Sequence, residues 1–345
     1  MNDRIERLRE SLEEPLLVTD PANLHYLTGF ASTNAALLVE PERLRLFTDF
    51  RYAEGARAVD GVEVEQTSRA LYPDLAASLS GRIAFEPDAL VYARYRLLAE
   101  AGLELVPRSG LVERLRAVKD EGELAAIRRA SAIASEAYAR LAEEPFVGRT
   151  ERELTWRMDV LLHDLGAEDV AFPTHVVAGP NAATPHASGG DRRIEPDEAV
   201  IIDAGAVVDG YCSDCTRTFA TGRLAEELQD AYDACLEGQL AGLEAARAGT
   251  AARAVDAAAR ERIDARGYGD AFGHGLGHGV GLLGHEAPAL RPESSDTLAA
   301  RNVVTVEPGI YLAGRGGIRI EDLVVVTDDG PEVLTTFTKE LVTVE

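Results

Sequence analysis

The chain has 345 residues, enough for two domains of ordinary size, and its 46% hydrophobic and 27% charged content is that of a globular protein. Fifty-nine acids against 35 bases give a net charge of −24, a field that repels phosphate backbones and argues against a nucleic-acid partner. Three cysteines are too few for a disulfide framework, no run of about 18 apolar residues offers a membrane span, and the charged start MNDRIERLRESLEE lacks a signal peptide's apolar core, so the expected location is the cytoplasm.

The first third alternates short strand-like runs, LLVTD (16–20), AALLVE (35–40), LRLFTD (44–49) and RIAFE (82–86), with helical ones. The helical runs LYPDLAASLSG and ALVYARYRLLAEAG each close on a glycine. This reads as an α/β domain over residues 1–118, ending before KDEGE, with a second domain over 119–345. Only two of the 35 bases are lysines, Lys119 and Lys339, an arginine bias that composition alone ties to no chemistry.

The second part carries a faint internal repeat. Residues 121–145 are helical, and a second helix follows with a Thr150/Glu153 capping box and Gly166 as its stop. Residues 224–247 are again helical, and AGTAARAVDAAARERIDARGY repeats the pattern with Gly267 after it. Strand-like runs follow each pair: THVVAG and EAVIIDAGAVVDG, then NVVTVE and GIRIEDLVVVT. Two helix–helix–strand halves suggest a duplicated domain with a site between the halves.

Acids within those apolar runs are the candidate chemistry. Asp203 follows Val-Ile-Ile, and Asp209-Gly210 supplies a turn that returns the chain through YCSDCTRTF, so Asp203 and Asp214 can face each other across a hairpin. Two ionised carboxylates held close in a low-dielectric setting repel unless one takes a proton or a cation joins them. A cap or solvated loop is the plain alternative for an Asp near a turn, and it suits Asp209. Glu307, ending an apolar strand in TVEPGIY, and Glu321, inside GIRIEDLVVV with Arg319 on the same face, bring the acids to four. Three of the seven histidines, His274, His278 and His285, crowd into FGHGLGHGVGLLGHEAP. Four carboxylates and an imidazole suit a pair of divalent ions with a bridging hydroxide as nucleophile.

Two other motifs are discounted. Gly279–Gly284 matches G-x-G-x-x-G, but no convincing strand precedes it, and Pro288 and Pro292 oppose a following helix. Strand alternation sends Cys212 and Cys215 to opposite faces with no second pair for zinc, and Cys235 reads as core.

On these residues the chain resembles the Xaa-Pro aminopeptidase and prolidase family over nearly its whole length. The blocks DAGAVVDGYCSDCTRTF, HGLGHGVGLLGHE, TVEPGIY and GIRIEDLVVVT carry the likeness, with NLHYLTGF and FTDFRYAEGA resembling the smaller domain. The resemblance implies an α+β chain, a pita-bread catalytic domain preceded by a creatinase-like α/β domain. It implies five metal ligands: Asp203 on one ion, His278 and Glu307 on the other, and Asp214 and Glu321 bridging both. Glu307 would also manage the proton of the nucleophilic water. His186, in GPNAATPHASGG, and His285 would line the substrate pocket with Arg319.

The implied activity is hydrolysis of N-terminal Xaa-Pro bonds in a dipeptide or short peptide, in a homodimer. The carboxylate-rich set favours Mn2+, with Co2+ or Zn2+ also accommodated. Ala289 stands where many relatives have arginine, and Arg291 is two positions late, which leaves dipeptidase and aminopeptidase action both open. A metal-independent creatinase-like amidinohydrolase and a non-catalytic peptide-binding module on the same fold are the alternatives.

Overall fold

In the computed structural model, which describes residues 2–185 and 187–345, the chain divides into two compact units, Met1–Arg116 and Ala117–Glu345. In the first, the apolar runs build a six-stranded mixed sheet. Its order is Glu63–Thr67, Leu44–Asp49, Ala35–Val39, Leu16–Val18, Arg82–Phe85 and Glu104–Pro107, with the three central strands antiparallel to their neighbours in turn and the flanking pairs parallel. The outermost strands were not legible, because EVEQT and ELVP are short and half-exposed. Helix Pro21–Thr28 starts on an Asp20 cap and ends at Gly29, whose φ of 71° belongs to the left-handed region that glycine enters without strain.

The second unit has the two helix–helix–strand halves that its sequence suggests. Helices Glu121–Leu141 and Glu151–Asp164 both start on capping boxes, at Asp120 and Thr150, and pack on a four-stranded sheet ordered Val342–Thr343, Thr216–Ala220, Ala199–Asp203, His175–Ala178. Tyr138, Phe146, Leu154, Met158 and Phe219 fill the core between them. Helices Glu226–Ala245 and Ala252–Ala265 pair in the other half, where Gly238 lets the axes approach: a Cβ there would lie 2.8 Å from Ile263. Beneath them runs a five-stranded sheet ordered Glu286–Leu290, Gly277–Gly279, Val303–Val306, Asp322–Val326, Pro331–Val333. Among the described residues no helix is long and apolar enough to cross a membrane.

Each half contains one interrupted hairpin. In the first, Val207 lies opposite Cys212 and Asp203 opposite Thr216, closed by Asp209-Gly210 with φ of 50° and 77°. Both central residues at positive φ are what a two-residue hairpin turn of the right twist requires. In the second, Val306 lies opposite Asp322 and Gly309 opposite Arg319. Glu321 and Asp214 therefore do not sit inside strands, as their apolar surroundings had suggested; they sit in the breaks. The second ladder breaks because the N–H of Glu307 donates to Leu276 O (2.8 Å) and that of Glu321 to Thr216 O (3.1 Å), so both bond outside the hairpin.

Candidate metal centre

The two broken hairpins decide which acids meet. Carrying the first register through its gap puts Gly205 opposite Asp214, on the face that Gly205 shares with Asp203, so the two aspartates are diagonal neighbours rather than directly opposed. The close approach needs Gly205, where a Cβ would lie 2.0 Å from Ser213 O. The second register, carried through its gap, puts Glu307 opposite Glu321. Strand Thr216–Ala220 runs beside the second hairpin: Thr218 Oγ1 donates to Arg319 O (2.9 Å) and accepts from Arg319 N (3.0 Å).

The outcome is a cluster in which Asp203, Asp214 and Glu321 each present an oxygen within 4.8 Å of the others. His278, mid-strand in Gly277–Gly279, places Nε2 3.1 Å from Glu307 Oε1 and 3.8 Å from Asp214 Oδ2. Its Nδ1 lies 3.0 Å from Gly279 O, an acceptor that favours a proton on Nδ1, so Nε2, which faces Glu307 and Asp214, is the atom that can serve as a ligand once its own proton has left. All five sequence-predicted ligands are thus brought together.

Burial pushes the Asp214 carboxyl well above its ordinary pKa, and the charges of Glu321, Asp203 and Glu307 push it further. Glu321 is raised in the same way, by burial first and then by Glu307 and Asp203. Glu307 behaves oppositely: burial raises it, but the hydrogen bond and charge of His278, with Arg319, hold it at about 2. On His278 burial lowers the pKa, and the pairing with Glu307 more than reverses this.

The donor set fits divalent cations. Asp203 Oδ1 and Glu321 Oε1 are buried with no hydrogen-bond partner, and an unmatched carboxylate oxygen in the interior is costly unless a cation meets it. The other oxygens are oriented by neighbours. Thr216 Oγ1 donates to Glu321 Oε2 (2.7 Å), Thr305 Oγ1 to Glu307 Oε1 (3.1 Å), and Arg319 Nη2 to Asp203 Oδ2 (2.6 Å).

Arg319, expected to meet substrate, directs its buried guanidinium at Asp203, at Thr216 Oγ1 (3.1 Å) and at Tyr311 Oη (3.1 Å). Tyr311 in turn lies 3.1 Å from His274 Nε2. His285 stacks on His278 with ring centroids 3.8 Å apart. His186 lies outside the described residues. Thr216, Thr305 and Tyr311 were missed in the sequence. Period-two spacing from Asp214 could have flagged Thr216, and from Glu307 Thr305; nothing local marks Tyr311.

The cysteines fall where alternation put them, Cys212 and Cys215 in separate cores and Cys235 in a third, all free and buried. The glycine-rich stretch after them needs a correction: a three-residue strand, Gly277–Gly279, does run into Gly279, but strand Glu286–Leu290 follows in place of a helix.

Comparison with known proteins agrees across both units. The family model for the creatinase/prolidase N-terminal domain matches residues 4–118, and that for metallopeptidase family M24 matches residues 125–328. An uncharacterised peptidase of Bacillus subtilis, YqhT, is 33% identical over 350 residues, covering 98% of this chain and 99% of its own. An Xaa-Pro dipeptidase from Bacillus anthracis is 36% identical and superposes with a TM-score of 0.94 over 99% of both chains. An X-Pro aminopeptidase from Thermotoga maritima is 33% identical, with a TM-score of 0.89 over 99% of this chain and 100% of its own.

Proposed function

The chain belongs to metallopeptidase family M24, with a creatinase/prolidase N-terminal domain, and from that premise we propose that it hydrolyses N-terminal Xaa-Pro bonds at a two-metal centre built from Asp203, Asp214, His278, Glu307 and Glu321. The observation that carries the proposal is the pair of orphaned oxygens, Asp203 Oδ1 and Glu321 Oε1, inside a three-carboxylate cluster. Two divalent cations bound there would neutralise the carboxylates and supply a hydroxide at neutral pH. Mn2+ is the proposed ion and a homodimer the proposed assembly.

The chain's own residues account for the rest. Asp214 and Glu321, the deepest acids of the cluster, would hold the ions together with Asp203, His278 and Glu307. Glu307 is the proposed proton acceptor, since its carboxylate sits at the edge of the cluster with Oε1 held by Thr305 Oγ1 and His278 Nε2. Arg319 acts through Asp203, fixing the carboxylate rotamer and leaving Oδ1 turned to the cluster. His285 and His186 are the proposed substrate contacts, hydrogen-bonding the scissile carbonyl or passing a proton to the leaving proline nitrogen. Proline's tertiary amide has no N–H and a fixed φ, so peptidases that rely on an extended, donor-rich substrate handle it poorly.

The test is an assay of metal-loaded protein on Xaa-Pro dipeptides, Xaa-Pro-Xaa peptides and creatine. Proline-peptide hydrolysis that disappears on chelation and returns with Mn2+ is the expected result. Activity on creatine alone, or hydrolysis indifferent to chelation, would refute the proposal. The ratio between dipeptide and longer peptide decides between dipeptidase and aminopeptidase.

A further inference from the structure

In a chain with 35 basic residues, only Lys119 and Lys339 are lysines, and each reaches a buried carboxylate next in sequence to a residue of the proposed site. Lys119, 1% exposed at its side chain, lies with Nζ 3.5 Å from Glu286 Oε2, and Glu286 directly follows His285. Lys339 Nζ lies 2.7 Å from Asp322 Oδ2, and Asp322 directly follows Glu321. An ammonium is a compact point charge on a thin stem with three donors, whereas a guanidinium is a wide fork with five donors to satisfy.

The Lys119 contact is the more informative, because the loop it reaches carries a ring that touches a ligand. Glu286 turns inward beneath the tight turn that precedes it, and its Oε1 accepts from Leu283 N (2.9 Å). Gly281 makes room for the carboxylate, since a Cβ there would lie 2.6 Å from Glu286 Oε2. The turn is tied further by Gly281 N to Leu283 O (3.0 Å) and Cys212 N to Gly281 O (2.8 Å). With Glu286 drawn inward, His285 stacks on the imidazole of His278. Lys119 itself is fixed by its N–H on Arg301 O (3.1 Å) and by the helix that begins after Asp120.

We propose that Lys119 is a positioning residue for the active site: its ammonium holds Glu286 under the 281–286 turn and thereby sets His285 against His278. This rests on the peptidase reading of the same site. Removing one member of a buried ion pair leaves the other charge uncompensated, whereas removing both does not, so the two cases separate experimentally.

The experiment compares K119M, K119M/E286Q and K119R in the full-length, metal-loaded protein by amide hydrogen exchange, metal content and steady-state kinetics on an Xaa-Pro dipeptide. In K119M the expectation is faster exchange confined to residues 281–286, unchanged metal content, and kcat/KM lower by about tenfold or more. K119M/E286Q is expected to recover most of both, and K119R to resemble K119M. Unchanged exchange at the turn in K119M, a double variant no better than the single, or K119R matching the original protein would each overturn the proposal. If the unaltered protein fails to cleave Xaa-Pro substrates, the functional reading fails, yet the exchange measurement still decides whether Lys119 holds the turn.

Discussion

Loading the centre with metal should expel protons, and the number expelled tests the electrostatic argument directly. Asp203, Asp214 and Glu321 present oxygens within 4.8 Å of one another. At an effective dielectric constant of about 20, two unit charges at that distance repel by about 3.5 kcal/mol, so three ionised carboxylates would cost about 10 kcal/mol. Without cations the cluster avoids this by keeping protons, which is why Asp214 and Glu321 are raised well above the carboxylate range. His278 is raised as well. Protons should therefore leave when the metals bind, where solvent-exposed carboxylate ligands at pH 7 would release none.

Titration calorimetry with Mn2+ in buffers of different ionisation enthalpy counts the protons. The same shifts predict thermal stability. Groups raised in the folded state stabilise the metal-free protein below their unfolded pKa values, about 4 for the acids and 6.5 for histidine, and lose that contribution as pH rises through the folded values. Glu307 has the opposite sign: its contribution is present above about 4.5 and is lost only as pH falls through about 2. Metal-free protein should thus lose stability from pH 5 to pH 8, while metal-loaded protein gains it because protons no longer compete. Binding with no proton release, or parallel pH profiles for the two forms, would refute the reasoning.

Other expectations concern single groups. Glu307→Gln should reduce hydrolysis at least a hundredfold when assayed at matched metal content, by removing the proton acceptor, with folding unimpaired by circular dichroism; activity within a few-fold of the original would remove Glu307 from that role. Thr216→Val takes away the hydroxyl donated to Glu321 Oε2 and should weaken metal retention about tenfold in a chelator competition, with normal retention arguing that the hydroxyl is incidental. Tyr138→Phe removes a buried hydroxyl that donates to Ile202 O (2.9 Å) and Cys215 O (2.6 Å), behind Asp203 and Asp214, and should cost about 1–3 kcal/mol in urea denaturation. A thiol reagent should find no reactive cysteine until the protein unfolds, since burial raises Cys212 and Cys235 to about 12; rapid native labelling at Cys212 would reopen a redox role for the pair.

The sequence was most legible where an acid broke an expected pattern. Asp203 after Val-Ile-Ile could not be dismissed as a loop residue, and the structure ends its strand on that carboxylate. The breaks themselves were hidden. GIRIEDLVVV reads as one strand, yet it changes partner between Arg319 and Asp322, where the N–H of Ile320 donates to Pro308 O and that of Glu321 to Thr216 O, contacts that only the tertiary fold supplies. Arg319 was legible as a site residue but not in its direction, since no local rule tells an arginine that its nearest anion is Asp203, 116 positions away. The two lysines are only a matter of composition in the sequence, and their placement against Glu286 and Asp322 is set by the fold.

The turn at Asp209-Gly210 has a bearing on how such a chain can change over time. Asp209 at its tip is exposed, yet the turn sets the phase in which the returning segment meets its partner. One additional residue there, with the two-residue turn kept, would rotate every side chain after it by half a pleat, sending the carboxylate of Asp214 into the apolar layer that holds Cys215 and bringing that thiol to the carboxylate cluster. Length variation among descendants should therefore collect in other loops, and where this one does grow, it should grow by two.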